Sequence, residues 1–268
     1  MFDDEATAQS LAELVESIEE SPFVSSGPPR LVVSVWPRPY REVEGLLPVV
    51  YPLMNHQYSH PGDTICVLAD YQLLLSRREN INHTDLIFDT AAALLALGAD
   101  PRNMSICRES DIGCLTEIYW LLSCILRLPP PGDAASPASR RSDGSGDERL
   151  LFLAAAAIGL GATDLVLDSM QPQALSLAAL LREIERRLGA ESSAIRVSSP
   201  PATQDEPDLN LNPDPRSIDE RYRVLRHDLA FLRDVLNEGA MVASRIVSPA
   251  ITCLRERLHL NDGSEGRL

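Results

Sequence analysis

Residues 83–126 read HTDLIFDTAAALLALGADPRNMSICRESDIGCLTEIYWLLSCIL, preceded at 68–80 by LADYQLLLSRREN. The apolar pattern from His83 to Leu97 has helical spacing, and Gly98 with Pro101 beyond it predicts the stop. Ser105 to Cys107 is short and β-prone. Thr116 to Leu128 is again helical and apolar almost all round, through Ile118, Trp120, Leu121, Leu122, Ile125 and Leu126. Helix, strand and helix in this order, with a β-rich run before them at Thr64–Leu68 (TICVL), indicate a parallel α/β sheet.

Working outward, Leu31–Trp36 (LVVSVW) reads as another buried strand. Beyond the quoted stretch, 150–158 reads as a helix of small residues, Asp164–Leu167 as a strand, and Leu175–Leu188 as a helix with Arg186 and Arg187 at its end. Ile218 to Leu258 is helical, with breaks expected near Gly239 and Pro249. Ahead of the sheet, residues 1–21 have the pattern of an acidic amphipathic helix, and 25–29 that of a linker. Residues 129–147 (PPPGDAASPASRRSDGSGD) and 198–215 are rich in Pro, Ser, Gly and acidic side chains, and are expected to be disordered. The expected organisation is therefore an N-terminal helix and linker at 1–29, an α/β domain at 30–197 carrying the 129–147 insert, a linker at 198–215 and a helical segment at 216–268.

Composition excludes several chemistries. All 24 basic residues counted as Lys+Arg are Arg. Without lysine there is no phosphate-loop lysine and no Schiff-base lysine, so the usual P-loop and pyridoxal-phosphate mechanisms are closed. A formal charge of −15 argues against broad electrostatic nucleic-acid binding. The five cysteines are irregularly spaced with no C-x-x-C pair, and the N-terminus shows no secretory pattern. No apolar run is long enough to span a bilayer. These features predict a cytoplasmic protein with reduced thiols and no membrane contact.

Three segments carry a resemblance to a known family. Leu68 to Ile125 is similar, in order and nearly without gaps, to the I-A-D-x-H-A-L-T, A-x-L-L-A-x-G-L-D-P, I-F-x-Q-S and H-x-E-L-x-W-L-L-x-C elements of tryptophanyl-tRNA synthetases. Residues 153–189 (LAAAAIGLGATDLVLDSMQPQALSLAALLREIERRLG) resemble the family's A-A-D-I-L-L-Y stretch with the helix after it. Residues 219–260 resemble its last helices. The resemblance implies a Rossmann-like class I synthetase catalytic domain with a parallel sheet and a short helical C-terminal tail.

The same comparison shows losses. Where the family carries G-x-x-P-T-G-x-L-H-L-G-N, whose glycines and histidine cradle ATP, this chain has Ser34-Val35-Trp36-Pro37-Arg38-Pro39 and then Tyr40 to Gly45, and Pro37 alone survives cleanly. Trp36 stands where a glutamine is usual. The family's K-M-S-K-S motif, which needs two lysines, is missing; the region where it belongs is the 198–215 linker, which carries Asp205, Glu206 and Asp208 and would repel a triphosphate. The aspartate that receives the indole N–H corresponds to Ala157, the A-D-x-H histidine to Gln72, and the Q-S glutamine to Glu109. The final D-Q corresponds to Gln171–Gln173; Asp70 and Ser110 are retained.

The candidate pocket residues are thus Ser34, Trp36, Asp70, Gln72, Glu109, Ser110 and Gln173. They read either as a remodelled pocket for a small polar or zwitterionic molecule or as drift after loss of function. Cyclodipeptide synthases share the class I fold and use a serine nucleophile, which by fold analogy singles out Ser34. No catalytic residue, metal or cofactor is assigned. His56 and His60 have metal-compatible spacing but sit in a loop or helix-end context. Cys107 and Cys114 read as buried structural thiols or, less simply, as reactive ones. Arg216, Arg221, Arg223, Arg226 and Arg233 are interleaved with acids, which favours an ion-paired helix over a nucleic-acid face. The expected function is a synthetase-like protein that makes no aminoacyl-tRNA. Its pocket binds or converts an aromatic amino acid, a derivative or an aminoacylated carrier in specialised biosynthesis; the alternative is an inactive regulatory partner. A homodimer through residues 116–128 is expected, and binding of tRNA is left open.

Overall fold

The computed structural model describes residues 29–75, 82–126, 145–168, 174–188, 195–198 and 215–260. Its centre is a parallel five-stranded sheet in the order β3-β2-β1-β4-β5, formed by β1 (Leu31–Val35), β2 (Thr64–Leu68), β3 (Ser105–Arg108), β4 (Asp164–Leu167) and β5 (Arg196–Ser198). β1 is the middle strand, with Val33 opposite Cys66 on one side and Val166 on the other. It is buried from end to end, as a parallel strand covered on both faces must be, and this is why LVVSV contains no charge.

Helices cover both faces. On one side α1 (Leu47–Ser59) and α3 (His83–Leu97) pack over Leu31, Val33, Val35, Cys66, Leu68 and Ile106. On the other, α4 (Leu115–Leu126), α5 (Ser145–Gly159) and α6 (Ala174–Leu188) pack over Val32, Ile65, Val67, Cys107, Leu165 and Leu167. A 3-10 segment at Tyr40–Leu46 leads into α1, the short α2 (Asp70–Leu75) follows β2, and a 3-10 turn at Glu109–Asp111 follows β3. The boundaries of α3 have local causes. The Asn82 side chain accepts the Asp85 N–H at the start, and Gly98 closes the helix in the left-handed region at φ 116°.

The chain ends in α7 (Pro215–His227) and α8 (Leu229–Arg257). The helical region is broken at Asp228, whose side chain caps α8, and not at Gly239 or Pro249, through which α8 runs unbroken. Gly239 is retained for space: a Cβ there would collide with the Ile106 carbonyl on β3. At that point α8 crosses the sheet edge. Its Leu232, Val235 and Leu236 belong to the core of one face, and Ala240, Ala243, Val247, Ile251 and Leu254 to the core of the other. α7 is fastened to α3 by Arg226, which pairs with Asp85 and Asp89. Tyr222 stacks on Tyr40 with ring centroids 3.6 Å apart.

Parts of the two segments expected to be disordered lie in regular elements. α5 begins at Ser145, inside the 129–147 stretch, and Ser198 and Pro215 belong to β5 and α7. The rest of both segments, and the expected N-terminal helix, lie outside the described residues. Among the described residues no helix is long and apolar enough to cross a membrane.

Candidate functional site

In a parallel sheet of this order the direction of the crossovers reverses between β1 and β4, and the crevice at the carboxyl ends of those strands is where such folds take ligands. Here that crevice is closed by an ion pair. Directly after β4 comes Asp168, 2% exposed, and the segment after β1 supplies Arg38, 6% exposed. The Arg38 guanidinium is hydrogen-bonded to Asp168 Oδ2. The same oxygen accepts the Trp36 N–H at 3.1 Å, and Arg38 Nε donates to the Trp36 carbonyl at 3.3 Å. Asp168 is fixed in turn by its own N–H, which donates to the Ser34 carbonyl at 3.2 Å.

The backbone of Arg38 is held from the other side. Thr90 on α3 accepts its N–H at 2.8 Å and donates to its carbonyl at 3.0 Å. Gly45 leaves room for the guanidinium, since a Cβ at that position would lie 2.5 Å from Arg38 Nη1. None of Arg38, Thr90 and Asp168 stands out in the sequence. The nearest signal is the Pro37-Arg38-Pro39 replacement of the glycine motif; Asp168 lies 130 residues away from its partner.

A second group of polar residues lies at the ends of β2 and β3. Asp70 Oδ1 accepts the backbone N–H of Ser110 at 3.0 Å, and its Oδ2 accepts the Ser110 hydroxyl. Burial pushes the Asp70 carboxyl above its usual range, against the Ser110 bonds that pull it down. Glu109, 1% exposed, is pushed from 4.5 up to about 8, first by burial and then by the Asp70 charge. Hydrogen bonds from Gln72 and the Tyr71 backbone offset this only in part. At neutral pH Glu109 is therefore chiefly a neutral acid and a hydrogen-bond donor. Its Oε2 and the indole N–H of Trp36 are buried without a hydrogen-bond partner among the described residues. Arg149 of α5 sits over the Trp36 ring, 5.7 Å from its centroid. Phe152, one turn further along α5, stacks between Tyr71 and Tyr119 at 5.2 and 4.2 Å.

Of the residues singled out in the sequence, Asp70, Gln72, Glu109 and Ser110 come together at these strand ends. Ser34 is inside β1, buried, and Trp36 lies beside the Arg38–Asp168 pair. Gln173 lies outside the described residues. Cys66 and Cys107 are fully buried and burial drives both thiols upward, so neither is a thiolate. His56 and His60 stack at 4.5 Å at the end of α1, by the amino ends of the strands. His56 Nδ1 is 2.7 Å from Thr64 Oγ1. Among the described residues no cluster of His, Cys, Asp or Glu has the makings of a metal site.

No family model matches the chain. Residues of this chain are 37% identical over 68 positions to tryptophan–tRNA ligase of Bordetella pertussis, a match covering 25% of this chain and 15% of that protein. The tryptophan–tRNA ligase of Parasynechococcus marenigrum is 28% identical over 102 positions, 38% of this chain and 30% of the relative. The matched stretches thus span under a third of these relatives. Among solved structures, tryptophanyl-tRNA synthetase of Campylobacter jejuni superposes with a TM-score of 0.65 at 13% identity, over 87% of this chain and 100% of that one. The Mycoplasma pneumoniae enzyme gives 0.63 at 10% identity, over 87% and 98%. The five-stranded parallel sheet, its helices and these likenesses agree: the chain has the Rossmann-like class I fold of the tryptophanyl-tRNA synthetases.

Proposed function

We propose that this chain is a tryptophanyl-tRNA synthetase-like protein that does not activate an amino acid with ATP and acts as a binding partner rather than as a ligase. The observation that carries this reading is the Arg38–Asp168 pair in the switch-point crevice. A nucleotide entering there must displace a buried guanidinium. Breaking that buried pair carries a penalty of about 3–5 kcal/mol, or roughly a thousandfold in affinity. It also sets phosphate against a carboxylate. The absence of any lysine removes the groups that would stabilise a leaving pyrophosphate.

Tryptophan-dependent exchange of pyrophosphate into ATP tests this directly. The purified chain is expected to give the rate of the no-enzyme control; exchange above it defeats the proposal.

A second reading keeps a small-molecule role. It is favoured by the Trp36 N–H and Glu109 Oε2, which are buried without a hydrogen-bond partner among the described residues, a state in which native proteins rarely leave polar atoms. On this reading the strand ends take a small polar ligand, such as an aromatic amino acid or a derivative in specialised biosynthesis. For assembly we propose a cytoplasmic homodimer built on α4, where Trp120 is 57% exposed on a helix whose Ile118 and Leu122 are buried.

A further inference from the structure

We propose that the crevice between the ends of β1 and β4 is a binding site for a planar guanidino or amidino cation, occupied in this chain by its own Arg38. The walls of the site do not depend on the Arg38 side chain. The carboxylate of Asp168 is buried and oriented by the Trp36 N–H at 3.1 Å, and its backbone is tied to Ser34. The Trp36 carbonyl is a second acceptor, receiving Arg38 Nε at 3.3 Å. Gly45 forms a side of the site that any Cβ would close, 2.5 Å from Nη1. The main chain carrying Arg38 is pinned through Thr90 on both its N–H and its carbonyl. With the side chain removed, the Asp168 carboxylate and the Trp36 carbonyl are therefore expected to keep their places around the space it leaves.

The two acceptors hold the Arg38 guanidinium between them, so the place suits a group with several N–H donors in one plane. A guanidinium offers these and is weakly hydrated, whereas an ammonium is a compact and strongly hydrated point charge. The site is selective by sign as well, because a buried carboxylate excludes phosphate and carboxylate ligands. This inference rests on the proposed reading of the crevice as closed to nucleotides, but its test involves no exchange reaction, so the two fail separately.

The test uses the full chain with Arg38→Ala, followed by thermal unfolding in millimolar guanidinium chloride, sodium chloride or tetramethylammonium chloride. Guanidinium is expected to raise the melting temperature of the variant by about 5 °C over the other two salts, since a ligand that binds only the folded state stabilises it. The wild-type chain and the Arg38→Ala/Asp168→Asn double variant are expected to show no such difference. If Arg38→Ala is insoluble in sodium chloride, soluble yield replaces melting temperature, and recovery in guanidinium alone supports the site. Equal behaviour in all three salts, failure to recover in any of them, or an equal gain in the double variant overturns it.

Discussion

Replacing Glu109 with glutamine separates burial from charge at the strand ends. The carboxyl is fully buried, with its proton affinity pushed from 4.5 to about 8. Sign matters here. Between these two values the folded state keeps a proton that the unfolded chain has released, so raising the pH favours unfolding. The stability at stake is intact below pH 4.5, falls by about 1.4 kcal/mol per pH unit above it, and levels off near pH 8. At pH 7 the native glutamate therefore weakens the fold by about 3 kcal/mol relative to its protonated form. Glutamine has the shape of the neutral acid and does not titrate. Urea unfolding of wild type and Glu109→Gln, followed by far-UV circular dichroism from pH 5 to pH 8, should give a difference that starts small and grows with pH in favour of the variant. At pH 7 the variant should melt roughly 6–12 °C higher. Subtracting the two profiles removes shifted groups away from the site, such as His56, whose burial lowers its proton affinity and gives the opposite slope. A difference that is the same at pH 5 and pH 8 would refute the reasoning.

Gly239→Ala should destabilise the chain by about 2–3 kcal/mol in urea unfolding despite alanine's better helix propensity, because the new methyl meets the Ile106 carbonyl. A stabilised variant would mean that α8 is not seated on β3. Trp120→Arg places a charge on the proposed two-fold face; sedimentation equilibrium at micromolar concentration should give a dimer mass for the wild type and a monomer mass for the variant. A monomer mass for both would end the dimer proposal.

Features whose cause lies within a few residues were legible in the sequence. α3 is one: Gly98 marks its end, and the structure uses that glycine at positive φ. β1 and β2 are others, because unbroken apolar runs of strand length leave little choice. β5 was missed because three residues with the exposed–intermediate–exposed pattern of an edge carry no periodic signal. The break lies at Asp228 and not, as the intrinsic propensity against Gly and Pro in a helix predicts, at Gly239 or Pro249; the close approach of Gly239 to Ile106 is invisible along the chain. At the site, Asp70, Gln72, Glu109 and Ser110 are singled out by the resemblance, and the ends of β2 and β3, both readable strands, bring them together. The Arg38–Asp168 pair was not, because a contact between residues 130 apart leaves no trace in either neighbourhood.

The passage of α8 over the β3 edge sets an order of events for a nascent chain. Synthesis delivers β1, β2 and β3 early, and β3 then presents an unpaired row of N–H and C=O groups together with apolar surface on both faces of the sheet. α8 emerges from the ribosome after the five described strands, and it reaches both faces at once. Until then the growing sheet is an open template for pairing with neighbouring chains on a polysome. A chain truncated before Leu229 is therefore expected to aggregate where the chain carrying α8 does not.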